Sequence, residues 1–128
     1  MLFRSPRLAL HHRRHDGQAS VTSQSQRAHV IASKHGLFGL IKALALELGP
    51  YNVRANLIAL MTIENVRANP EWYTDGHGGG YSAEDLAAIP MKRAGKPQEV
   101  ANVAVFLASE QSSYVTGDRI LCGGGKYM

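Results

Sequence analysis

The stretch ASKHGLFGLIKALALEL, residues 32–48, runs directly into GPYNVRANLIA, residues 49–59. Its apolar side chains recur every three or four residues and spread over more than one face, which indicates a helix that is covered on two sides. The Gly-Pro pair that opens the second segment ends this helix. The residues after this pair are typical of a buried strand, with Asn56 as the one polar interruption. We predict a helix over residues 30–48 and a strand over residues 53–60.

A second helix is predicted later in the chain, where Pro97 stands at a position that favours the first turn of a helix. Four apolar residues then fall on one helical face; they are Val100, Val103, Ala104 and Leu107. We expect this helix to end near Ser109 and a short strand to form over residues 118–122. The glycines at 123–125 are expected to form a flexible exit.

Residues 61–90, between the first strand and the second helix, hold a proline, a glycine run and scattered charges. A segment of this length without regular structure is usually functional, and we predict in it one helical turn over residues 84–88. The order helix, strand, helix, strand, with connections of crossover length, predicts parallel strands joined by right-handed crossovers. The predicted fold class is α/β, a partial doubly wound (Rossmann-like) parallel sheet.

The amino-terminal residues 1–19 have neither helical nor strand periodicity. We predict a disordered leader there and one partial domain over residues 20–128. The formal charge is +4, and the basic surplus is confined to residues 1–29, which hold five arginines and one aspartate. The rest of the chain has equal numbers of basic and acidic residues, so it has no net attraction for phosphate. We therefore expect no nucleic-acid partner.

Cys122 is the one cysteine of the chain, which excludes an internal disulfide and fits a reducing compartment. No run reaches the roughly 18 apolar residues that a membrane span needs, and arginines interrupt the leader where a secretory signal would be apolar. The histidines of the leader lack the cysteines or clustered acids of a metal site. We expect a cytoplasmic protein with no membrane partner and no metal.

Three segments resemble, in order and spacing, the C-terminal half of the short-chain dehydrogenase/reductases. They are ASKHGLFGLIKALALELGPYNVRANLIA, IPMKRAGKPQEVANVAVFLAS and SSYVTGDRILCGGG, within residues 28–125. The resemblance implies a sheet that binds NAD or NADP and an activity that moves a hydride between the nicotinamide and an alcohol or ketone carbon. Nothing in the chain matches the family's glycine-rich turn, where dinucleotide phosphates rest on backbone N–H groups. The chain is therefore expected to be truncated relative to the family.

Lys34 matches the family's lysine, which assists a tyrosine four residues earlier and holds the nicotinamide ribose. Positions i and i+4 share a helix face, so in the family the ammonium lies beside the phenol and favours the phenolate. In this chain Val30 stands at the tyrosine position and has no proton to exchange. Loss of a general acid lowers a rate roughly a hundred- to ten-thousand-fold. His29 lies about 100° around the helix from Val30, which points its ring away from Lys34.

The resemblance assigns three further residues. Ser23 is the best-placed match for the serine that steadies the substrate oxygen, although the segment between it and Val30 is shorter than in the family. Ile63 matches the apolar residue whose backbone meets the carboxamide, and Asn65 the threonine near the pyrophosphate. The predicted catalytic residues are thus Lys34 and Ser23, and the predicted cofactor-binding residues are Lys34, Ile63 and Asn65.

The excursion over residues 61–90 carries two other patterns. The run HGGG at residues 77–80 matches an oxyanion-hole motif of some esterases, but the chain has no G-x-S-x-G nucleophile elbow, so a hydrolase is not favoured. The aromatic residues of the excursion fit a cover over the substrate and simple loop packing equally well; they are Trp72, Tyr73 and Tyr81.

Two functions stay open at this stage. The first is an NAD(P)-dependent alcohol/ketone oxidoreductase, impaired by the missing tyrosine and left with a weakened cofactor site. The second is a non-catalytic remnant or interaction module, which forms a homo-oligomer or assembles with another dehydrogenase-like subunit. Its contacts would be the helices at 34–48 and 97–109, which in the family pack between subunits. The sequence neither chooses between NAD and NADP nor names the substrate.

Overall fold

The structure is a computed structural model and describes residues 7–10, 28–64 and 81–126. Its elements are, in chain order, β1 (Arg7–Leu10), α1 (Ala28–Leu48), β2 (Arg54–Leu60), α2 (Ala83–Ala87), α3 (Pro97–Ala108) and β3 (Arg119–Cys122). Single 3-10 turns come after α1 and α3, at Gly49–Tyr51 and Glu110–Ser112. The elements predicted from residue 30 onward are present, and their ends differ from the predictions by at most two residues.

The described strands form one parallel sheet in the order β1-β2-β3. In the register of this sheet, Leu8 pairs with Ala55, and Ile58 pairs with Ile120. Parallel neighbours need crossover connections, and α1 lies in the first of these while α2 and α3 lie in the second. The predicted α/β fold with a parallel sheet is confirmed.

The side chains of β2 alternate between the two faces of the sheet, and each face is covered by a helix. Leu57 packs with Ile41 of α1, and Ile58 packs with Val100 and Leu107 of α3. A strand that is buried on both faces has a nearly continuous apolar sequence, which accounts for the pattern of β2. The helix, sheet and helix make three layers, the arrangement of a doubly wound fold.

Polar side chains within β2 bind the end of α3, which is Pro97–Ala108, and the loop that leads to β3. The Asn56 amide donates from Nδ2 to the Val115 carbonyl at 2.8 Å and accepts the Asp118 N–H at 3.2 Å. The buried guanidinium of Arg54 donates to the carbonyls of Leu107 at 2.7 Å and Val115 at 3.1 Å. Buried polar groups are costly unless they are hydrogen-bonded. The polar interruption in β2 is therefore structural.

β1 corrects part of the expectation of a disordered leader over residues 1–19. Arg7–Leu10 form a strand that pairs along β2. Four residues are too few to display a period, and the hydrogen bonds that order this strand come from residues far away in the sequence. The other residues of that segment lie outside the described part of the chain, and the division at residue 20 stays a prediction.

The cover of α1 also differs from the expectation. Ile41 and Ala45 are buried against the sheet, but Leu40 is 50% exposed and Leu46 is 81% exposed. Within residues 28–64 and 81–126, therefore, α1 is covered on one side only. Its apolar residues outnumber those that one sheet face can bury.

The carboxyl-terminal glycines form a hydrogen-bonded turn and not the expected flexible exit. The Gly124 carbonyl accepts the Met91 N–H at 3.2 Å, and the Lys126 N–H donates to the Gly123 carbonyl at 3.1 Å. Gly124 has a φ of 61°, which L-residues rarely adopt. This turn fixes the segment after β3 against the loop before α3.

Candidate functional site at the carboxyl edge of the sheet

Lys34 lies level with the end of β2. Ala45 lies at the opposite edge, where β2 begins. A Cβ built on Gly117 would lie 3.3 Å from the Cβ of Ala45, and the Gly117 N–H donates to the carbonyl of Ala55, near the start of β2, at 2.7 Å. Along α1, Lys34 lies about 16 Å before Ala45. Along β2, Leu60 lies about the same distance, roughly 16 Å, after Ala55. A crossover helix runs antiparallel to the strands that it joins, so Lys34 reaches the carboxyl edge. Ligands of doubly wound sheets bind at that edge.

Lys34 and Val30 lie one helical turn apart on the same side of α1. Lys34 is buried, with 7% of its surface exposed, and Val30 is half-buried. His29, the neighbouring titratable residue, is exposed, as expected from the rotation of about 100° between adjacent helical residues. The arrangement places an ammonium group at the edge of the sheet, with an aliphatic side chain where a proton donor would stand.

Ile63 comes after β2 and is held by the segment before α3. The Gly95 N–H donates to the Thr62 carbonyl at 2.9 Å, and the Glu64 N–H donates to the Gly95 carbonyl at 2.7 Å, which makes a parallel bridge between Ile63 and Gly95. On its other side, the Ile63 carbonyl accepts the Tyr81 hydroxyl at 2.9 Å. The backbone around Ile63 is thus fixed from both sides.

The bridge between Ile63 and Gly95 was not predicted from the sequence. In the structure, the lack of space for a side chain at Gly95 marks this bridge. A Cβ at Gly95 would lie 2.8 Å from Ile63 Cδ1, closer than real Cβ contacts. Glycine permits this approach because it has no side chain. The pairing itself joins residues that are distant in sequence, so no local pattern reveals it.

A cleft of about 220 Å³ opens beside this segment, between the end of β3 and the start of α3. Its walls are mostly apolar, and the Arg93 guanidinium and the Glu99 carboxylate contribute charge to them. The other lining residues are Thr62, Ile63, Met91, Gly95, Val100, Val103, Leu121, Cys122, Gly123 and Gly124. The cleft therefore shares Ile63 with the candidate cofactor site.

The charged groups of this cleft bind each other. Arg93 and Glu99 form two hydrogen bonds, at 2.7 and 2.8 Å. The bond from Arg93 and the 2.6 Å bond from the Lys96 N–H lower the pKa of Glu99 to about 2. The same contact with Glu99 raises the pKa of Arg93. Both groups thus stay charged at neutral pH.

Burial raises the pKa of the Cys122 thiol in the wall of the cleft. The thiolate is the nucleophilic form of cysteine. Cys122 therefore stays a protonated, half-buried packing residue at neutral pH, consistent with its apolar strand.

The structure places two of the four predicted site residues, Lys34 and Ile63, at the carboxyl edge of the sheet. Ser23 and Asn65 lie outside the described residues, as do Trp72, Tyr73 and the HGGG run at 77–80. The roles of Ser23 and Asn65 stay predictions. For Tyr81, the sequence left open whether it covers the substrate or packs within the loop. In the structure, its hydroxyl donates to the backbone carbonyl of Ile63.

The described residues show neither a candidate metal site nor a helix that could span a membrane. Among residues 28–64 and 81–126, no group of three or more His, Cys, Asp or Glu side chains is placed to hold a metal ion. In that same part of the chain, no helix has the length and apolar character needed to cross a membrane. The cytoplasmic location stays a prediction.

Comparisons with known proteins show which family the chain belongs to. A family model described as enoyl-(acyl carrier protein) reductase matches residues 16–126. The 3-oxoacyl-(acyl-carrier-protein) reductase of Buchnera aphidicola is 39% identical over 98 residues, which are 76% of this chain and 37% of that protein. The peroxisomal 2,4-dienoyl-CoA reductase of Saccharomyces cerevisiae is 38% identical over 101 residues, which are 79% of this chain and 33% of that protein.

A solved structure gives the same result at the level of the fold. The 3-oxoacyl-(acyl-carrier-protein) reductase of Brucella melitensis with bound NAD has a TM-score of 0.61 and 40% identity, and the match covers 79% of this chain and 34% of that one. The chain belongs to the short-chain dehydrogenase/reductase family. It spans about a third of the length of the relatives that it matches.

The residues at the edge of the sheet fit one end of a nicotinamide dinucleotide. Lys34 brings an ammonium that can donate to hydroxyl groups, and Ile63 brings a backbone N–H and carbonyl in fixed positions. Val30 does not fit the proton transfer that accompanies hydride transfer, because its side chain has no exchangeable proton.

Proposed function

We propose that this chain binds a nicotinamide dinucleotide, NAD or NADP, at the carboxyl edge of its sheet through Lys34, Ile63 and Asn65. The observation that carries the proposal is the burial of Lys34 in α1, at a height that the rises of helix and strand place level with the end of β2. The names of the relatives as reductases and the NAD bound in the Brucella structure support it. Ser23 is proposed to contact the oxygen of an alcohol or ketone substrate.

The proposed activity is a weak alcohol/ketone oxidoreductase. The bound nicotinamide would supply or accept the hydride. Lys34 would donate hydrogen bonds to the ribose hydroxyls and thereby orient the ring, and the Ile63 backbone would position the carboxamide. Because Val30 cannot exchange a proton, we expect a rate about a hundred- to ten-thousand-fold below that of an enzyme with a general acid at that position.

The binding proposal is tested by titrating NADH and NADPH into the protein and measuring nicotinamide fluorescence. We expect saturable binding of at least one of them, and no binding at millimolar concentration would contradict the proposal. Lys34→Met should weaken binding because it removes the ammonium. Lys42→Met is the matched control, since Lys42 lies on the same helix, is exposed and contacts Phe38. Circular dichroism of both variants checks that they are folded.

A second candidate function is an assembly module, and the exposed apolar residues of the two long helices favour it. Leu46 of α1 is 81% exposed, and Val105 of α3 is 67% exposed. Exposed apolar side chains are stabilised when another protein surface covers them. The partner would be a second copy of this chain or another dehydrogenase-like subunit, which is compatible with cofactor binding at the edge of the sheet.

A further inference from the structure

The backbone of Ile63 presents a donor and an acceptor side by side. Thr62 and Glu64 direct their bonded groups toward Gly95. Successive residues of an extended chain direct their backbone groups to opposite sides, so the N–H and the carbonyl of Ile63 both point away from Gly95. A primary carboxamide also has one donor and one acceptor side by side. The two edges are complementary.

Tyr81 already binds one half of this edge. Its hydroxyl donates to the Ile63 carbonyl at 2.9 Å, in a half-buried position. Among the hydrogen bonds of residues 28–64 and 81–126, none uses the Ile63 N–H. The Ile63 carbonyl thus binds a hydroxyl of the chain itself, whereas the Ile63 N–H makes no such bond within the described residues.

The backbone next to Tyr81 is fixed by a capping box. The Ser82 hydroxyl accepts the Asp85 N–H at 3.1 Å, and the Asp85 carboxylate accepts the Ser82 N–H at 3.0 Å. Reciprocal bonds of this kind define where a helix begins. The Tyr81 hydroxyl is therefore held near Ile63 by α2.

We propose that Tyr81 is a specificity-determining residue, whose hydroxyl competes with the NH₂ group of a nicotinamide carboxamide for the Ile63 carbonyl. The inference rests on the proposed function, because it assumes that a nicotinamide ring lies against Ile63. A carbonyl oxygen has two lone pairs, so competition weakens the binding of the carboxamide and does not prevent it. A ligand that needs only the Ile63 N–H is unaffected by Tyr81.

The test compares two ligands and two variants by isothermal titration calorimetry. The ligands are NAD and its 3-acetylpyridine analogue, in which a methyl group replaces the amide NH₂. Tyr81→Phe removes the competing hydroxyl and should tighten NAD binding by about 2- to 10-fold, the range of a single hydrogen bond. The same variant should leave the affinity for the analogue unchanged. Tyr114→Phe, at a fully exposed tyrosine, is the control that should change neither.

Each outcome is decisive. Equal changes for both ligands, no change for either, or weaker NAD binding in Tyr81→Phe would overturn the role of Tyr81 while the binding itself upholds the proposed function. No binding of either ligand to any variant would overturn both. Thermal unfolding monitors folding, and Tyr81→Leu, which also removes the hydroxyl, should reproduce the selective gain for NAD.

Discussion

At the scale of single residues, the proposed function assigns cofactor binding to Lys34 and leaves the position of Val30 without a proton donor. Both lie on one side of α1, yet only Lys34 carries a group that can hydrogen-bond. An ammonium next to a phenol stabilises the phenolate, and with a valine at that place the proposed role of Lys34 is to orient the cofactor only. The proposed loss of proton transfer thus comes from one side chain.

Val30→Tyr should restore proton transfer, because it places a phenol four residues before Lys34 on the same helical face. We expect carbonyl reductase activity to rise by about a hundred- to ten-thousand-fold over the unmodified protein. The measurement is the consumption of NADH and NADPH with a panel of small ketones. His29→Tyr is the matched control, because its exposed position points away from Lys34. Equal activity in the two variants would contradict the geometry.

At the scale of elements, the start of α3 depends on the charge of Glu99. Its carboxylate accepts hydrogen bonds from Arg93 and from the Lys96 N–H, and its pKa is lowered from 4.5 to about 2. A lowered pKa in the folded state means that the charged form stabilises the fold. This contribution is complete above pH 4.5 and declines as the pH falls toward about 2.

Glu99→Gln should therefore lower the free energy of unfolding at neutral pH, and the difference from the unmodified protein should shrink between pH 4.5 and about 2. Urea unfolding at several pH values measures this difference. When Glu99→Gln is made in an Arg93→Met background, its effect on the free energy of unfolding should change over a narrower range of pH. The reason is that Arg93 is the largest cause of the lowered pKa of Glu99. A difference that is constant over this range would contradict the assignment.

Two glycines should respond to alanine in opposite ways. Gly39 lies in α1 with open space around the position of a Cβ, so Gly39→Ala should raise the free energy of unfolding by about 0.5–1 kcal/mol. Gly124 has a φ of 61°, and a Cβ there would lie 2.9 Å from Ile89 Cγ2. Gly124→Ala should lower the free energy of unfolding by about 1–2 kcal/mol or more. Thermal or urea unfolding of both variants checks the signs.

At the scale of the whole molecule, apolar surface remains outside the three packed layers. The sheet buries Ile41 and Ala45 of α1, and Leu40 and Leu46 face outward. Exposed apolar area of this kind is stabilised when another protein surface covers it. The outward side of α1 is therefore the surface on which the assembly hypothesis depends.

Leu46→Glu should shift the protein toward the monomer, because burying an unpaired carboxylate in an interface is costly. Light scattering coupled to size-exclusion chromatography measures the mass of the particle. Ala88→Glu, at an exposed position after α2, is the control that should leave the mass unchanged. A monomeric unmodified protein at all concentrations would contradict self-assembly.

Local patterns of the sequence were sufficient for α1, β2 and α3, and for the place of Lys34 on a helix. Helical and strand periods are read from neighbouring residues, and the Gly-Pro pair after α1 marks its end directly. The match to the family then came from three such segments in order, and it supplied the proposed roles of Lys34 and Ile63.

Only the tertiary structure decided what depends on residues that are distant in sequence. β1 forms because β2 lies beside it, and Asn56 is tolerated inside β2 because the loop before β3 supplies its partners. The contact of Tyr81 with Ile63 likewise joins segments whose separation in the chain carries no pattern. The sequence determined the elements because their periods are local, whereas pairing and the contacts of the site arise only when the folded chain brings distant backbone groups together.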